Sequence, residues 1–458
     1  MKNTTLLISF LALCFLNFQS FGQTSVPYLI STNQTWDMAG SPYQLGSVVT
    51  LGLGVSVTIM PGVHVESVGH TELLVNGELQ VLGNVDSFVE FNNVTVHLNP
   101  SAEPYNPITL SGAFFNFTKF TNTYYQQYVF KNRAKGCCIK NSLFMLGGNG
   151  FQSSPLVEDS SFFEMTNCNF TDIGPNENSH VLVHGSLTEH IVTDCVFEKI
   201  RSVSFWRGHG SIKNNVFDSL TTASFDTDEN YEIQCNKFLN LLSGVHIYPK
   251  GGVISFMHNT LDSCGSLLQS NPFGLLNIAT DSTLINGVGT LDISNNNFLT
   301  QLGQTEKVEF RHYSSVTGGD SFNVNLTNNY WATYDSSAIA DMIIDATDDG
   351  ALASIADYSN FLSSMDTDCP SQSTAAARKF KNATVSVFPN PVSNTLFISK
   401  GANPVVRASI FGINGSEILE IDERSLESID VNELNSGLYF LVLIDNQGQE
   451  LRTKFIKR

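Results

Sequence analysis

Between residues 115 and 331 the chain repeats one spacing of apolar and polar positions. An apolar residue is followed five positions later by a second, usually aromatic, with Asn two positions before that second residue. The spacing occurs as Ile212-x-x-Asn215-x-Phe217, Ile233-x-x-Asn236-x-Phe238, Phe256-x-x-Asn259-x-Leu261, Ile293-x-x-Asn296-x-Phe298 and Leu326-x-x-Asn329-x-Trp331. Earlier copies replace the Asn: Ile139 to Phe144, Met165-x-x-Cys168-x-Phe170 and Val192-x-x-Cys195-x-Phe197. From Phe144 on, the second apolar positions lie 26, 27, 20, 21, 23, 37 and 33 residues apart. A period in the twenties marks a solenoid. Each period holds two or three short β-branched and aromatic runs, without helical periodicity and without Leu-x-x-Leu-x-Leu. The prediction is an all-β chain, a right-handed parallel β-helix whose coils stack at about 4.8 Å with apolar residues inside. Asn at a constant position is expected to make the turn, because it tolerates the left-handed conformation, and to hydrogen-bond along its column. The two long spacings read as coils that carry insertions.

The flanks carry a resemblance. Val57-Thr58-Ile59-Met60-Pro61-Gly62-Val63-His64-Val65 precedes Leu73-Leu74-Val75-Asn76-Gly77-Glu78-Leu79-Gln80-Val81-Leu82-Gly83, and Asn328-Asn329-Tyr330-Trp331-Ala332-Thr333 leads toward a short helix. With the repeats, these segments resemble right-handed β-helix proteins of the pectate-lyase-like superfamily, where Gly stands in place of Ala332. The resemblance implies the fold over about residues 28–368 and leaves function open, since this fold hosts lyases, hydrolases, adhesins and inert scaffolds.

The end of the chain changes pattern. Short apolar runs alternate with turns at Asn414-Gly415, Asn435-Ser436-Gly437 and Asn446-Gln447-Gly448, which predicts a small antiparallel β-sandwich. Val387-Phe388-Pro389-Asn390-Pro391-Val392 opens it, Gly437-Leu438-Tyr439 opens a late strand, and Lys454-Phe455-Ile456-Lys457-Arg458 closes it. This stretch resembles the C-terminal sorting domain of the Bacteroidetes type IX secretion system, with Pro389, Asn390, Pro391, Gly437, Tyr439, Lys454 and Lys457 as signal positions. The resemblance implies export across the outer membrane by that machinery as partner, then release or surface attachment. A matching export signal stands at the other end. Lys2 precedes the apolar residues 6–16, and Ser20-Phe21-Gly22 offers a cleavage site before Gln23. The expected organisation is signal peptide 1–22, β-helix 23–367, a polar linker 368–384 and sorting domain 385–458, with no transmembrane segment.

Charge narrows the partners. The formal net charge is −19, and the tail is nearly balanced, so the acidic excess belongs to the body. Such a field repels nucleic acid and anionic lipid. Seven cysteines follow the signal region, at 137, 138, 168, 195, 235, 264 and 369. Their spacing fits no metal motif, so buried thiols are the expectation. Cys168 and Cys195 share a repeat position, which places them one above the other, either as thiols or as a disulfide.

Candidate chemistry comes from stacking the coils. Aligning the inward pairs Val181/Val183, Val203/Phe205, Ala223/Phe225, Val245/Ile247 and Val308/Phe310 puts His184, Trp206, Asp226, Tyr248 and Arg311 in one edge column. Arg207, His209, Asp228, Lys250, His312 and Tyr313 fall beside it. Rings that stack on sugars, with charges that orient hydroxyls or carboxylates, fit a glycan-binding groove; coil edges are also simply where polar residues go. Asp226, Asp228 and Glu229 are a candidate calcium set, since calcium takes several oxygen ligands, and no other cofactor is expected. Gly208-His209-Gly210 resembles the His motif of polygalacturonases, but the upstream Asp-Asp pair and downstream Arg-Ile-Lys of that family are missing. The leading expectation is a secreted or surface polysaccharide-binding or adhesive protein without catalysis. The alternatives are a polysaccharide lyase or hydrolase, with Lys250, Arg207 or Arg311 as base, and a purely structural spacer.

Overall fold

The computed structural model describes residues 23–458 apart from internal segments, the longest of which is 370–386. The chain divides into two compact units, with the break between Ala375 and Ala376. Strands make up 59% of it and helix 2%, which settles the all-β class.

Three strands build each coil of the first unit. A representative coil runs Thr188–Thr193, Val196–Glu198 and Ser202–Trp206, and the next runs His209–Lys213, Val216–Asp218 and Thr222–Thr227. The three strand pairs that join these two coils are parallel and free of register shifts. The result is a parallel β-solenoid of about nine turns. Its first strands form a thirteen-stranded sheet from Gln34–Trp36 to Ser354–Asp357. The other two columns are a short face of mostly two- to four-residue strands and a front face that includes Ser202–Trp206. They join into one sheet because His64–Val75 and Val89–Leu98 pair with strands of both.

The repeated second apolar position explains the core. Phe91, Phe120, Phe144, Phe170, Phe197, Phe217 and Phe238 form one continuous stack, with neighbouring ring centroids 4.3–5.3 Å apart and planes within 17° of parallel. Coil spacing sets that distance, so one aromatic per coil yields offset stacking without local adjustment.

The repeated Asn does form a ladder. Asn236 is typical: its Oδ1 accepts from the backbone N–H of Asn215 at 3.0 Å and from Asn215 Nδ2 at 3.0 Å, while its Nδ2 donates to Ile212 O at 2.8 Å and Asn259 Oδ1 at 3.1 Å. The same contacts join Asn259 to Asn296 and Asn296 to Asn329. The expectation that this Asn takes the left-handed conformation needs correction. The residue before it does, at Asn214, Cys235, His258, Asn295 and Asn328, with φ of 56–57°. The left-handed residue turns the chain, and the next side chain folds inward to satisfy the backbone that the turn exposes. Toward the N-terminus, Ser142, Cys168 and Cys195 take the ladder position. Cys168 and Cys195 are buried free thiols, and burial pushes the Cys168 thiol well up.

The last coil closes on Trp331, whose ring lies 4.7 Å from Phe298. Ala332 takes φ +58°, the conformation for which Gly is suited. Helix α1, Ser336–Ala340, follows, capped by Asp335, whose Oδ1 accepts from Ser337 N at 2.9 Å.

A disulfide joins Cys235 and Cys369, with Cα atoms 5.5 Å apart. This corrects the expectation of thiols throughout. Cys235 is a left-handed turn residue at the ladder corner, with Asn236 taking the inward place after it. Cys369, the second residue of the expected linker, is therefore tied to the solenoid. Residues 361–369 run back along that corner: Leu362 N donates to Asn329 O at 2.9 Å, Asn297 brackets the backbone of Asp366, and Cys369 reaches Cys235.

The second unit holds two antiparallel sheets over one apolar core. One contains Glu417–Asp422, Val405–Phe411, Gly437–Asp445 and Glu450–Lys457, the other Val387–Phe388, Thr395–Ile398 and Ser428–Asp430. Asn390 Oδ1 accepts from Ile456 N at 2.9 Å, and Arg458 N donates to Val392 O at 2.9 Å. The opening segment thus zips onto the basic end of the chain. Tyr439 stacks on Phe455 and donates its hydroxyl to Asn435 O, beside the turn that Gly437 leaves. Lys457 is mostly buried and donates to Arg458 O. Pro389 and Pro391 lie outside the described residues, as does the side chain of Lys454.

Candidate ligand groove on the front face

Strand alternation fixes what the front face shows to solvent. In Ser202–Trp206, Val203 and Phe205 are buried, so Ser202, Ser204 and Trp206 point outward. The register places His184 opposite Trp206, Trp206 opposite Asp226, and Asp226 opposite Tyr248. The edge column is therefore continuous over four coils. Arg311 does not follow directly. The strand Leu276–Thr280 intervenes and puts Ala279 between Tyr248 and Arg311. That coil is easy to miss because insertions flank it on both sides. The side chains of Arg311 and His312 lie outside the described residues, as do Lys250, Asp228 and Tyr313.

The next outward column runs Leu182, Ser204, Ser224, His246. Its two serines bond to each other, Ser224 Oγ to Ser204 Oγ at 2.8 Å. They leave a low floor beside Trp206 and Asp226. Trp206 is 45% exposed, and the His184 ring stands nearly perpendicular to it, centroids 6.3 Å apart. Tyr248 is fixed by a neighbour whose tautomer can be deduced. His246 Nε2 faces Ser243 O at 2.8 Å, and a carbonyl only accepts, so Nε2 carries the proton. Neutral His246 Nδ1 then accepts from the Tyr248 hydroxyl at 3.1 Å.

Arg207 and His209 leave the front face. Arg207 is the left-handed corner residue, φ +58°, and its carbonyl accepts from Tyr231 Oη at 3.3 Å. His209 opens its own strand in the thirteen-stranded sheet and pairs with Glu229, Nδ1 to Oε2 2.8 Å. Glu229, offered above for calcium, is thus engaged by a histidine. The glycines flanking His209 have a steric reason. A Cβ on Gly208 would stand 2.5 Å from Thr188 O, and one on Gly210 would stand 2.1 Å from His190 O. Beneath them His190 is fully buried and bonded to Tyr231 Oη; burial holds its imidazole down at about 3, so it is neutral. Gly208-His209-Gly210 is a tightly packed corner.

The sequence reading missed one cluster on the same face. Glu72 Oε1 accepts from Lys131 Nζ at 2.8 Å, and Glu72 Oε2 lies 3.5 Å from His97 Nδ1. The His97 bond, then the Lys131 ammonium, hold the Glu72 carboxyl down to about 2 against the cost of partial burial. His97 and Lys131 share a column with Gln152, Leu182 and Ser204. Alternation within Val89–Leu98 would have exposed His97, but its charged partners come from two other coils. No signal within one strand brings them together.

Comparison with known proteins speaks to the second unit. Residues 386–458 match the family described as secretion system C-terminal sorting domain. No curated protein and no solved structure shows significant similarity to the chain. No helix among the described residues is long and apolar enough to cross a membrane. The chain therefore ends in a type IX secretion sorting domain, which implies engagement of that machinery and export to the cell surface or beyond.

Proposed function

We propose that the exported solenoid is a non-catalytic polysaccharide-binding protein whose front face holds one extended glycan chain along the solenoid axis. The observation that carries this reading is the continuous column His184, Trp206, Asp226 and Tyr248 beside the serine floor. An axial glycan meets a new side chain about every 4.8 Å, near the length of one sugar unit. Trp206 offers its face for stacking, Tyr248 and Asp226 offer hydrogen bonds to hydroxyls, and the two serines leave room for the ring. An inert spacer has no need of an exposed tryptophan set between a histidine and an aspartate.

The test is a glycan array on the exported protein, followed by Trp206→Ala on the best ligand. Loss of the anchor should weaken binding by about 1–3 kcal/mol while the melting temperature stays within about 2 °C, because an exposed side chain contributes little to the core. Unchanged binding sinks the groove and favours the spacer. Turnover of the bound glycan, followed by the ultraviolet absorbance of an unsaturated product, would replace binding with lyase chemistry.

A further inference from the structure

A second site lies away from the front face, at the ladder corner where residues 361–369 run back over the solenoid. We infer that His258, Asp366 and Asp368 bind one divalent cation of the zinc class. One ligand atom from each lies within 4.8 Å of the others. The three come from segments 108 residues apart that are already held together.

Each segment presents its donor for a local reason. His258 is the left-handed turn residue of its coil, φ +57°, and the following Asn259 takes the inward ladder place. Its ring is only partly buried and faces the returning segment. Asp366 and Asp368 are two residues apart in an irregular stretch, and each brings a carboxylate oxygen to the same place.

The frame is fixed independently of any ion. Asn297 Nδ2 donates to Asp366 O at 3.0 Å, and Asp366 N donates to Asn297 Oδ1 at 2.8 Å. One amide side chain thus clamps both backbone groups of the residue that supplies the central carboxylate. Immediately after Asp368, Cys369 is bonded to Cys235. The site is framed by a clamp on one side and a covalent bond on the other, so little ordering is left for binding to impose.

Donor chemistry chooses the ion. An imidazole nitrogen with two carboxylates suits zinc and its first-row neighbours, whereas calcium and magnesium prefer all-oxygen sets. Zinc with three protein ligands keeps a position for water, and the exposed Asp368 leaves this one open. His258 Nδ1 stands 2.9 Å from Asp366 Oδ2. The cation takes the place of this hydrogen bond: its proton leaves to solvent, and the carboxylate oxygen and ring nitrogen become ligands. Bound metal would tie the returning segment to the solenoid at a second point beside the disulfide.

The experiment titrates zinc into the exported, disulfide-intact protein after chelation, read by calorimetry and by metal content. One equivalent should bind with a Kd of about 1 μM or tighter. His258→Gln should abolish that equivalent. Asp368→Asn should weaken it at least tenfold while the melting temperature of the chelated protein is unchanged, because Asp368 is exposed. The paired Cys235→Ser and Cys369→Ser variant should also weaken it, by loosening the frame. Retention of the equivalent in both His258→Gln and Asp368→Asn overturns the site, as does failure to bind saturably. Tighter binding of calcium than of zinc overturns the assignment of the ion.

Discussion

At the residue scale the ladder Asn is held from several sides at once. Asn236 is almost fully buried and serves two coils at once. Its Oδ1 caps Asn215, its Nδ2 caps Ile212, and its own N–H is capped by Asn259. Removing the amide orphans buried groups above and below. Asn236→Ala should cost about 2–4 kcal/mol, the sum of several buried hydrogen bonds left unmade, measured by chemical denaturation of the exported protein. Asn236→Asp should cost a similar amount, because a carboxylate cannot donate to Ile212 O. A change below about 0.5 kcal/mol in both would show that the ladder is decoration. The role of this Asn was visible in its spacing, but its conformation was not. The pairs Asn214-Asn215, Asn295-Asn296 and Asn328-Asn329 place two turn-competent residues side by side, and only the three-dimensional path tells which turns and which folds in.

At the element scale the strands were legible wherever the inward positions are large and apolar. Phe197, Phe217 and Phe238 declared their register unaided, since a slip of one residue would expose every ring. Leu276–Thr280 was lost because long insertions dilute its pattern and Asn277, though buried, reads as polar. The disulfide was lost because its partners are 134 residues apart and sequence distance carries no corner geometry. The cluster of Glu72, His97 and Lys131 was lost for the same reason, and it makes an element-level prediction. It joins three successive front-face strands, His64–Val75, Val89–Leu98 and Tyr128–Asn132. Glu72 has a carboxyl depressed from an ordinary 4.5 to about 2, through His97 first and Lys131 next. A depressed carboxyl stabilises fully above the unfolded value, and that contribution fades as pH falls from about 4.5 through 2. Glu72→Gln should therefore lower the melting temperature at pH 6 and converge with the parent protein near pH 2. Curves that stay parallel across that range would mean the three strands do not depend on this charge. Glu72 is only partly buried, so the effect should shrink in high salt.

At the scale of the whole molecule, address and cargo are separate pieces of physics. Each unit has its own buried core, one running from Val26 to Ala356 and one from Val392 to Phe455. A solenoid draws its stability from contacts between neighbouring coils; its last coil packs Ile339 of α1 into the core, and residues 361–369 run back along the ladder corner to the disulfide. Nothing in that account calls on the sorting domain. The sorting domain is in turn closed by its own terminus, because Asn390 and Val392 bond to the strand Glu450–Lys457. Two variants separate delivery from folding. Removing residues 385–458 should leave a body that melts cooperatively and keeps its disulfide but stays inside the outer membrane, in the periplasmic fraction. Asn390→Ala should act more gently. It removes the acceptor for Ile456 N, loosens the opening segment from the basic end, and should lower the exported fraction without touching the melting of the solenoid. Fractionation with immunodetection of the body, alongside thermal melts, reads both. Surface delivery of the truncated chain would refute the sorting role of the tail, while a truncated body that fails to melt cooperatively would show that the solenoid depends on the tail for its fold.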